Sequence, residues 1–334
     1  MDDVKGLRKE LEIHRGSANA IYKGKTAIHY AIIYNAERCL QTLLDNGADT
    51  RNLDFRDTIR FPTTAIALAI QSGNVNIAKI VLKYPTDIYT PGKPNLYHIF
   101  KSDDVKMLKT LVSHDKNVLS YPIRYWSRET DYDDSPDQPV GRAIIMKARK
   151  CAEYIIPLVT ERETNEEMKK LNIQSAIMAS IKTLKDKPLL RVLWTADIAK
   201  YLQEPLRNGE GFLHAAAQIQ AEGRKLKTQE KIIKLLAING APVNMKNANG
   251  NTPLHLSSSV RVAKALVNQA ASLQIKNNVN QTPAQYVKSN LGARHEDHED
   301  ILLLQWMKLK EKQLEEYDQQ LEPISDDSAE QTPE

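Results

Sequence analysis

Cysteine is almost missing: two in 334 residues, Cys39 and Cys151, lying 112 positions apart. That excludes a disulfide framework or a cysteine-rich zinc site. Both sit in apolar, helical-looking stretches, AERCLQTLL and KARKCAEYII. Buried, unreactive thiols and a reducing, cytoplasmic setting are therefore expected. Long hydrophobic runs are also missing, since none nears the roughly 18 apolar residues of a membrane-spanning helix. The opening twenty residues are charged throughout, so no secretory leader is expected. With 13 Gly and 15 Pro, collagen-like and linker-like compositions are excluded.

What is present suits a folded chain: 41% hydrophobic and 26% charged residues. The length fits one large domain, two small ones or an elongated array. The net charge of +4 is unevenly placed. Residues 311–334 hold nine acidic residues and one basic, a balance of −8, which leaves +12 on the remainder. The basic residues are spread along the chain, so nucleic acid is not an expected partner.

The strongest signal is repetition. GNTPLHLSS at 250–258 runs on through VRVAKALVNQAASLQIKNNVN, and its opening returns as QTPA at 281–284, thirty residues after Thr252. Thr252 suits a helix cap accepting from a free backbone N–H, and Pro253 the first helical turn. Leu254, Leu256, Val262, Ala265 and Leu266 supply apolar faces for two short helices, with IKNNVNQ as a projecting turn. The same plan recurs as GKTAIHYA at 24–31 with ERCLQTLLDNGAD, as TAIALA at 64–69, as LYHI at 96–99, and as GEGFLHAAA at 209–217. In this last unit an extra segment, QIQAEGRKLKTQ, delays the second helix.

These units resemble the ankyrin repeat, whose opening is T-P-L-H-x-A-A over about 33 residues. NGAD at 46–49 is similar to the family's helix-ending turn, with Gly47 placed for a left-handed conformation. The resemblance covers roughly residues 20–290 and implies an all-α ankyrin-repeat solenoid with degenerate central repeats and a C-terminal helical extension. The expected divisions are a cap helix at 1–20 and repeats at 21–112. An aromatic and Pro-rich loop at 113–140 and degenerate helical repeats at 141–208 follow. Repeats resume at 209–290, before a helix at 291–320 and an acidic tail at 321–334. In the cap, Val4, Leu7 and Leu11 share one side. In the C-terminal helix, Ile301, Leu302, Leu304, Trp306 and Leu309 are the expected sticky face. The loop either binds a partner or folds back over the central repeats, burying Tyr125 and Trp126.

Catalytic and metal signals are weak. Gly24-Lys25-Thr26 lacks the earlier Gly of a phosphate-binding loop, because Asn19 stands there. His29, His98, His214 and His255 recur at one repeat position; in the ankyrin family that residue bonds between adjacent loops. The cluster HEDHED at 295–300 departs from H-E-x-x-H and suits a first helical turn. No cofactor and no metal are therefore expected. Arg224, Lys225 and Lys227, and Arg142, Lys147, Arg149 and Lys150, read as solvated helix faces.

The resemblance implies protein–protein recognition without catalysis and no small-molecule substrate. Contact candidates lie at the projecting turns: Arg51, Asp54, Phe55 and Arg56; Tyr89 and Lys93; Lys246, Asn247 and Asn249. Tyr125, Trp126 and Arg128 join them from the long loop. The divergent repeats and the Ser/Thr/Glu-rich end resemble bacterial ankyrin effectors delivered by type IV secretion, which implies a host protein partner and the host cytoplasm. Two other readings stay open. One is a catalytic module within 113–205. The other is an adaptor recruiting a ubiquitin ligase through the apolar run LLRVL at 189–193.

Overall fold

The structure is a computed structural model. It describes residues 3–13, 17–51, 64–86, 95–120, 138–195, 197–206, 208–290 and 298–321. The chain forms two compact units, Met1–Thr195 and Ala196–Glu334. Among the described residues the only strands are β1 (Ile21–Tyr22) and β2 (Lys25–Thr26), an antiparallel pair. Lys23 and Gly24 join them with φ of 48° and 82°, the signature of a two-residue hairpin turn. The Gly-Lys-Thr sequence is thus a repeat tip and not a phosphate cradle.

Unit 1 opens with α1 (Val4–Ile13) and continues as helix pairs. These are α2 (Ala27–Ile33) with α3 (Glu37–Asp45), α4 (Ala65–Ser72) with α5 (Val75–Val81), and α6 (Asn95–Ser102) with α7 (Val105–His114). Then come α8 (Pro139–Ile145) with α9 (Arg149–Thr160), and α10 (Glu166–Thr183) with α11 (Asp186–Leu193). The first helices α2, α4, α6, α8 and α10 pack each on the next as one layer, and the second helices α3, α5, α7, α9 and α11 do the same behind them. Helix α1 packs on α3, with Val4, Leu7 and Leu11 half-buried.

The chain reverses inside each pair at a left-handed residue: Asn35, Gly73, Asp103, Lys147 and Leu184, with φ between 49° and 70°. The next N–H reaches five residues back in four of these turns. Ala36 donates to Ala31 O (2.8 Å), Asp104 to Ile99 O (3.0 Å), Ala148 to Ala143 O (2.9 Å) and Lys185 to Ser180 O (2.9 Å). This closes the helix C-terminus and satisfies carbonyls that would otherwise be orphaned. The second helix then needs an N-cap. Asn74 and Asp104 provide their own, each accepting from two backbone N–H groups. Helix α9 begins after Ala148, which has no side-chain acceptor, and Asp103 of the preceding pair caps it instead. Its carboxylate accepts from Lys150 N (3.1 Å) and Cys151 N (3.0 Å).

The core of unit 1 lies between the layers, from Ile28, Ile32, Leu40 and Leu43 through Phe100, Leu108 and Leu111 to Ile155, Ile177 and Val192. In the central stretch, within the degenerate repeats expected at 141–208, the longest described helix of unit 1 carries polar residues inside. Helix α10 begins at Glu166, and it buries Asn172, Gln174, Ser175 and Ser180 among its apolar residues. Gly141 of α8 lies against it so closely that a Cβ would stand 2.1 Å from Ser175 Oγ and 3.0 Å from its carbonyl.

Unit 2 contains α12 (Ile198–Gln203), α13 (Phe212–Gln218), α14 (Gly223–Ile238), α15 (Val260–Val267), α16 (Pro283–Asn290) and α17 (His298–Leu321). Helices α14, α15 and α17 pack in succession, with α13 on α14 and α16 on α17. Three expectations are corrected here. The extra segment before the fourth unit's second helix is largely that helix's own start, since α14 begins at Gly223. The residues after Thr252 form a turn closed by i+3 bonds, not an α-helix. His255 N donates to Thr252 O (3.0 Å) and Leu256 N to Pro253 O (3.2 Å). Ser258 explains the shortening: its N–H bonds Ala217 O and its hydroxyl bonds Ile219 O (2.7 Å), tying the chain to the preceding repeat.

The third correction concerns α17. Its buried face is Leu303 and Met307, with Leu304 and Trp306 flanking, while Ile301, Leu302 and Leu309 are exposed, Leu309 by 55%. The helix is apolar on both sides, and the choice of face is made by α15 and α16. Among the described residues, no helix is long and apolar enough to cross a membrane.

Candidate protein-contact surface

Five described repeat openings, at Thr26, Thr64, Gly211, Thr252 and Thr282, are each organised by a hydrogen-bonded pair three residues apart. Where His occupies the third position after the opening residue, its Nδ1 accepts from the opening backbone N–H: Thr26 N (3.1 Å), Gly211 N (3.0 Å) and Thr252 N (3.0 Å). The Thr26 and Thr252 hydroxyls also lie on Nδ1, at 2.7 and 2.9 Å. Thr252 therefore engages its histidine and not a free helix N–H. Where Ala67 stands in place of His, the Thr64 hydroxyl reverts to ordinary capping and accepts from Ala67 N (3.3 Å). At Thr282 the partner is Gln285, whose Oε1 accepts the Thr282 N–H (2.9 Å).

In unit 2 the far side of the ring spans to the next repeat. His214 Nε2 donates to Asn251 O (2.9 Å) and His255 Nε2 to Gln281 O (3.0 Å). A carbonyl on Nε2 and an N–H on Nδ1 require the neutral Nε2–H tautomer. Burial of both rings lowers their pKa below the ordinary histidine value. His29 is buried in the same local arrangement, whereas His98 is half-buried and meets the Tyr97 ring edge-on.

These bonds brace two projecting turns, 247–251 and 277–281. Asn247 N donates to Asn251 O and Asn277 N to Gln281 O, closing each tip. The tips are also pinned to each other. Asn278 N donates to Asn249 O (3.1 Å), Asn278 Nδ2 to Ala248 O (3.0 Å) and Asn277 Nδ2 to Asn251 Oδ1 (2.9 Å). Gly250 sits at the crossing with φ 74°, where a Cβ would come within 2.2 Å of Asn278 Oδ1 and 2.6 Å of its backbone nitrogen. Only glycine meets both demands.

The sequence candidates fall on these turns unevenly. Lys246 is exposed, with Nζ on Lys276 O (2.8 Å). The Asn247 side chain accepts from Asn249 N and Asn251 N, so it shapes the tip, while Asn249 is exposed. Arg51 is exposed and paired with Asp49 (3.1 Å). The Arg51 backbone N–H, followed by its guanidinium, holds the Asp49 carboxyl below the usual carboxylate range. Asp54, Phe55, Arg56, Tyr89, Lys93, Tyr125, Trp126 and Arg128 lie outside the described residues, as does most of the 113–140 loop. So do 295–297 of the HEDHED cluster.

Beside the two turns lies a groove of about 310 Å³ that the sequence did not announce. Glu210, Gln218, Gln220, Ser257, Tyr286 and Asp300 are among its walls, along with the Asn and His residues just described. These come from four separate stretches, so no local spacing signals them. Ser257 is only 5% exposed, and its hydroxyl has no hydrogen-bond partner. A second cleft, about 840 Å³, runs between α14, α15 and α17, past Leu226, Val260, Leu302, Trp306 and Leu309. Lys264 stands 6.0 Å from the Trp306 ring there.

The basic patches and the alternative sites also have definite places. Arg224, Lys225 and Lys227 are exposed, and Arg149 pairs with Glu153 (3.0 Å). Leu189, Val192 and Leu193 are buried in unit 1, where they pack as a repeat helix and not as a free docking strip. Cys151 is 0% exposed, and burial, with the Asp103 carboxylate second, pushes its thiol up to about 12. A thiolate nucleophile is thus strongly disfavoured there. Cys39 is half-buried and so less enclosed than expected.

Residues 23–57 and 249–278 match the family model described as Ankyrin repeat. Similar solved structures include the ankyrin repeat domain of Bcl-3, described as a unique member of the IkappaB protein family. It is 14% identical with a TM-score of 0.52, covering 74% of this chain and all of that one. The human ASB11 ankyrin repeat domain is 15% identical with a TM-score of 0.35, over 85% of this chain and 98% of that one. An ankyrin repeat protein from Leishmania major is 18% identical with a TM-score of 0.47, over 72% and 80%. No curated protein matches the chain. The two matched segments and the stacked helix pairs define an all-α ankyrin-repeat fold.

Proposed function

We propose that the protein is a non-catalytic scaffold that binds another protein through its projecting turns and the groove beside them. The observation that carries this reading is the bracing of turns 247–251 and 277–281. Side-chain and backbone bonds hold both tips before any partner arrives, so little ordering entropy is lost on binding. Arg51, Asp54, Phe55, Arg56, Tyr89, Lys93, Lys246, Asn247 and Asn249 are assigned to the contact surface, with Tyr125, Trp126 and Arg128 from the long loop. Aromatic and Arg anchors are the residue types that dominate such surfaces. The test is affinity capture from a eukaryotic lysate with the wild type and a Phe55→Ala/Tyr89→Ala/Trp126→Ala variant. Loss of the captured proteins is expected; recovery of the same set by both chains overturns this surface.

The acidic end supports a finer role, that of a type IV-secreted bacterial effector acting on a host protein in the host cytoplasm. Because α17 runs to Leu321, removing 322–334 leaves that helix whole. A chain ending at Leu321 is expected to lose delivery in a secretion assay; unchanged delivery rejects the role.

A further inference from the structure

We propose that the groove of unit 2 seats an arginine side chain presented by an extended segment of the partner. This rests on the reading of the protein as a protein-binding scaffold and assigns the chemistry that its groove selects. Two carboxylates, Glu210 and Asp300, stand in the walls, and among the described residues neither lysine nor arginine lines them. Lys246, whose charge reaches His255, has its ammonium anchored on the Lys276 carbonyl. The described walls thus carry a negative balance on a chain whose net charge is positive.

The wall chemistry is rich in acceptors. Glu210 already receives Gln218 Nε2 (2.8 Å) on one oxygen and Asn208 Nδ2 (3.2 Å) on the other, which orients the carboxylate and leaves lone pairs for a ligand. The independent sign of a missing guest is Ser257. Its buried hydroxyl lines the groove with no partner, and buried polar groups are rarely left so. Tyr286 adds an aromatic wall; its ring and that of His255 meet at 74° with centroids 5.8 Å apart. A guanidinium fits this set: five N–H donors in a planar fork, no acceptor, and a face that stacks on aromatic rings. The volume admits one long side chain and excludes a helix or folded domain.

The probe is Nα-acetyl-arginine amide, titrated into the full ¹⁵N-labelled chain and followed by the backbone amides of Ser257, Ser258 and Tyr286. Its citrulline counterpart, neutral but of similar shape, and its lysine counterpart are run in parallel. Saturable shifts with the arginine probe in the millimolar range, with citrulline about tenfold weaker, are expected. Glu210→Gln/Asp300→Asn is expected to abolish the preference for arginine over citrulline. Equal shifts from citrulline, or none from arginine, overturn the proposal, and equal shifts from lysine overturn the choice of guanidinium. The probe comparison uses the wild-type chain and does not depend on any variant folding. Failure here with capture still lost in the aromatic variant rejects the arginine site and leaves the scaffold standing.

Discussion

A buried histidine that must stay neutral makes a repeat sensitive to acid. His214 and His255 each donate from Nε2 to a carbonyl and accept at Nδ1 from an N–H, so a proton on Nδ1 would face a donor. Their folded pKa values lie below the ordinary value of about 6.5. Above that value both folded and unfolded rings are neutral and the full stability is present. As pH falls below it, the unfolded chain takes up protons that the folded chain refuses, and stability drops. The slope approaches about 1.4 kcal/mol per pH unit for each ring. Urea unfolding of unit 2 followed at pH 7.5 and pH 5.5 should show this loss, and His255→Ala should reduce both the stability at neutral pH and the slope. A pH-independent midpoint would reject the tautomer assignment. The helix-ending turns make a second case. Gly47 and Gly240 take φ of 82° and 103°, but Ala270 occupies the corresponding left-handed position at 66°. Replacing Ala270 with glycine should stabilise unit 2 by about 0.5–1 kcal/mol, read as a higher midpoint, because a Cβ is disfavoured there.

Elements inherit their faces from their neighbours, which is why some were legible in the sequence and others not. The openings marked by Thr and His were readable because a short-range hydrogen bond demands those residue types. The left-handed turns within unit 1 were not, since Asn35, Gly73, Asp103, Lys147 and Leu184 share a backbone shape and no side-chain chemistry. Helix α10 hid for the same reason: its buried Asn172, Gln174 and Ser180 break the apolar pattern. The groove was invisible because Glu210, Ser257, Tyr286 and Asp300 meet only after the repeats stack. Helix α17 is the sharpest instance, because its stretch 301–309 places apolar residues on both sides, Leu303 and Met307 on one and Ile301, Leu302 and Leu309 on the other. Leu303→Ala should cost about 2–4 kcal/mol, because it empties a filled core site. Leu309→Ala, at 55% exposure, should cost under about 0.5 kcal/mol. Matched denaturation curves for the two variants decide which face is structural; equal effects would return the sticky face to the exposed side.

Across a whole unit, stability is shared along the stack, since neighbouring pairs share their core and, at α9, a cap. Asp103 makes this concrete. It ends the reversal between α6 and α7, caps the following second helix, and takes part in holding the Cys151 thiol protonated. That thiol is 0% exposed, so a disulfide reagent can reach it only when unit 1 opens. Cys39, half-buried near the start of the same unit, should label promptly and serve as an internal control. Gly141→Ala forces a Cβ against Ser175 and should destabilise the α8–α10 contact by about 1–3 kcal/mol. If opening and closing are fast relative to labelling, a loss of about 1.4 kcal/mol speeds Cys151 modification about tenfold. The Cys39 rate should change far less, because α3 is separated from the substituted pair by two intervening pairs and repeat stability is carried by nearest neighbours. Equal acceleration of both cysteines would mean that unit 1 opens only as a whole.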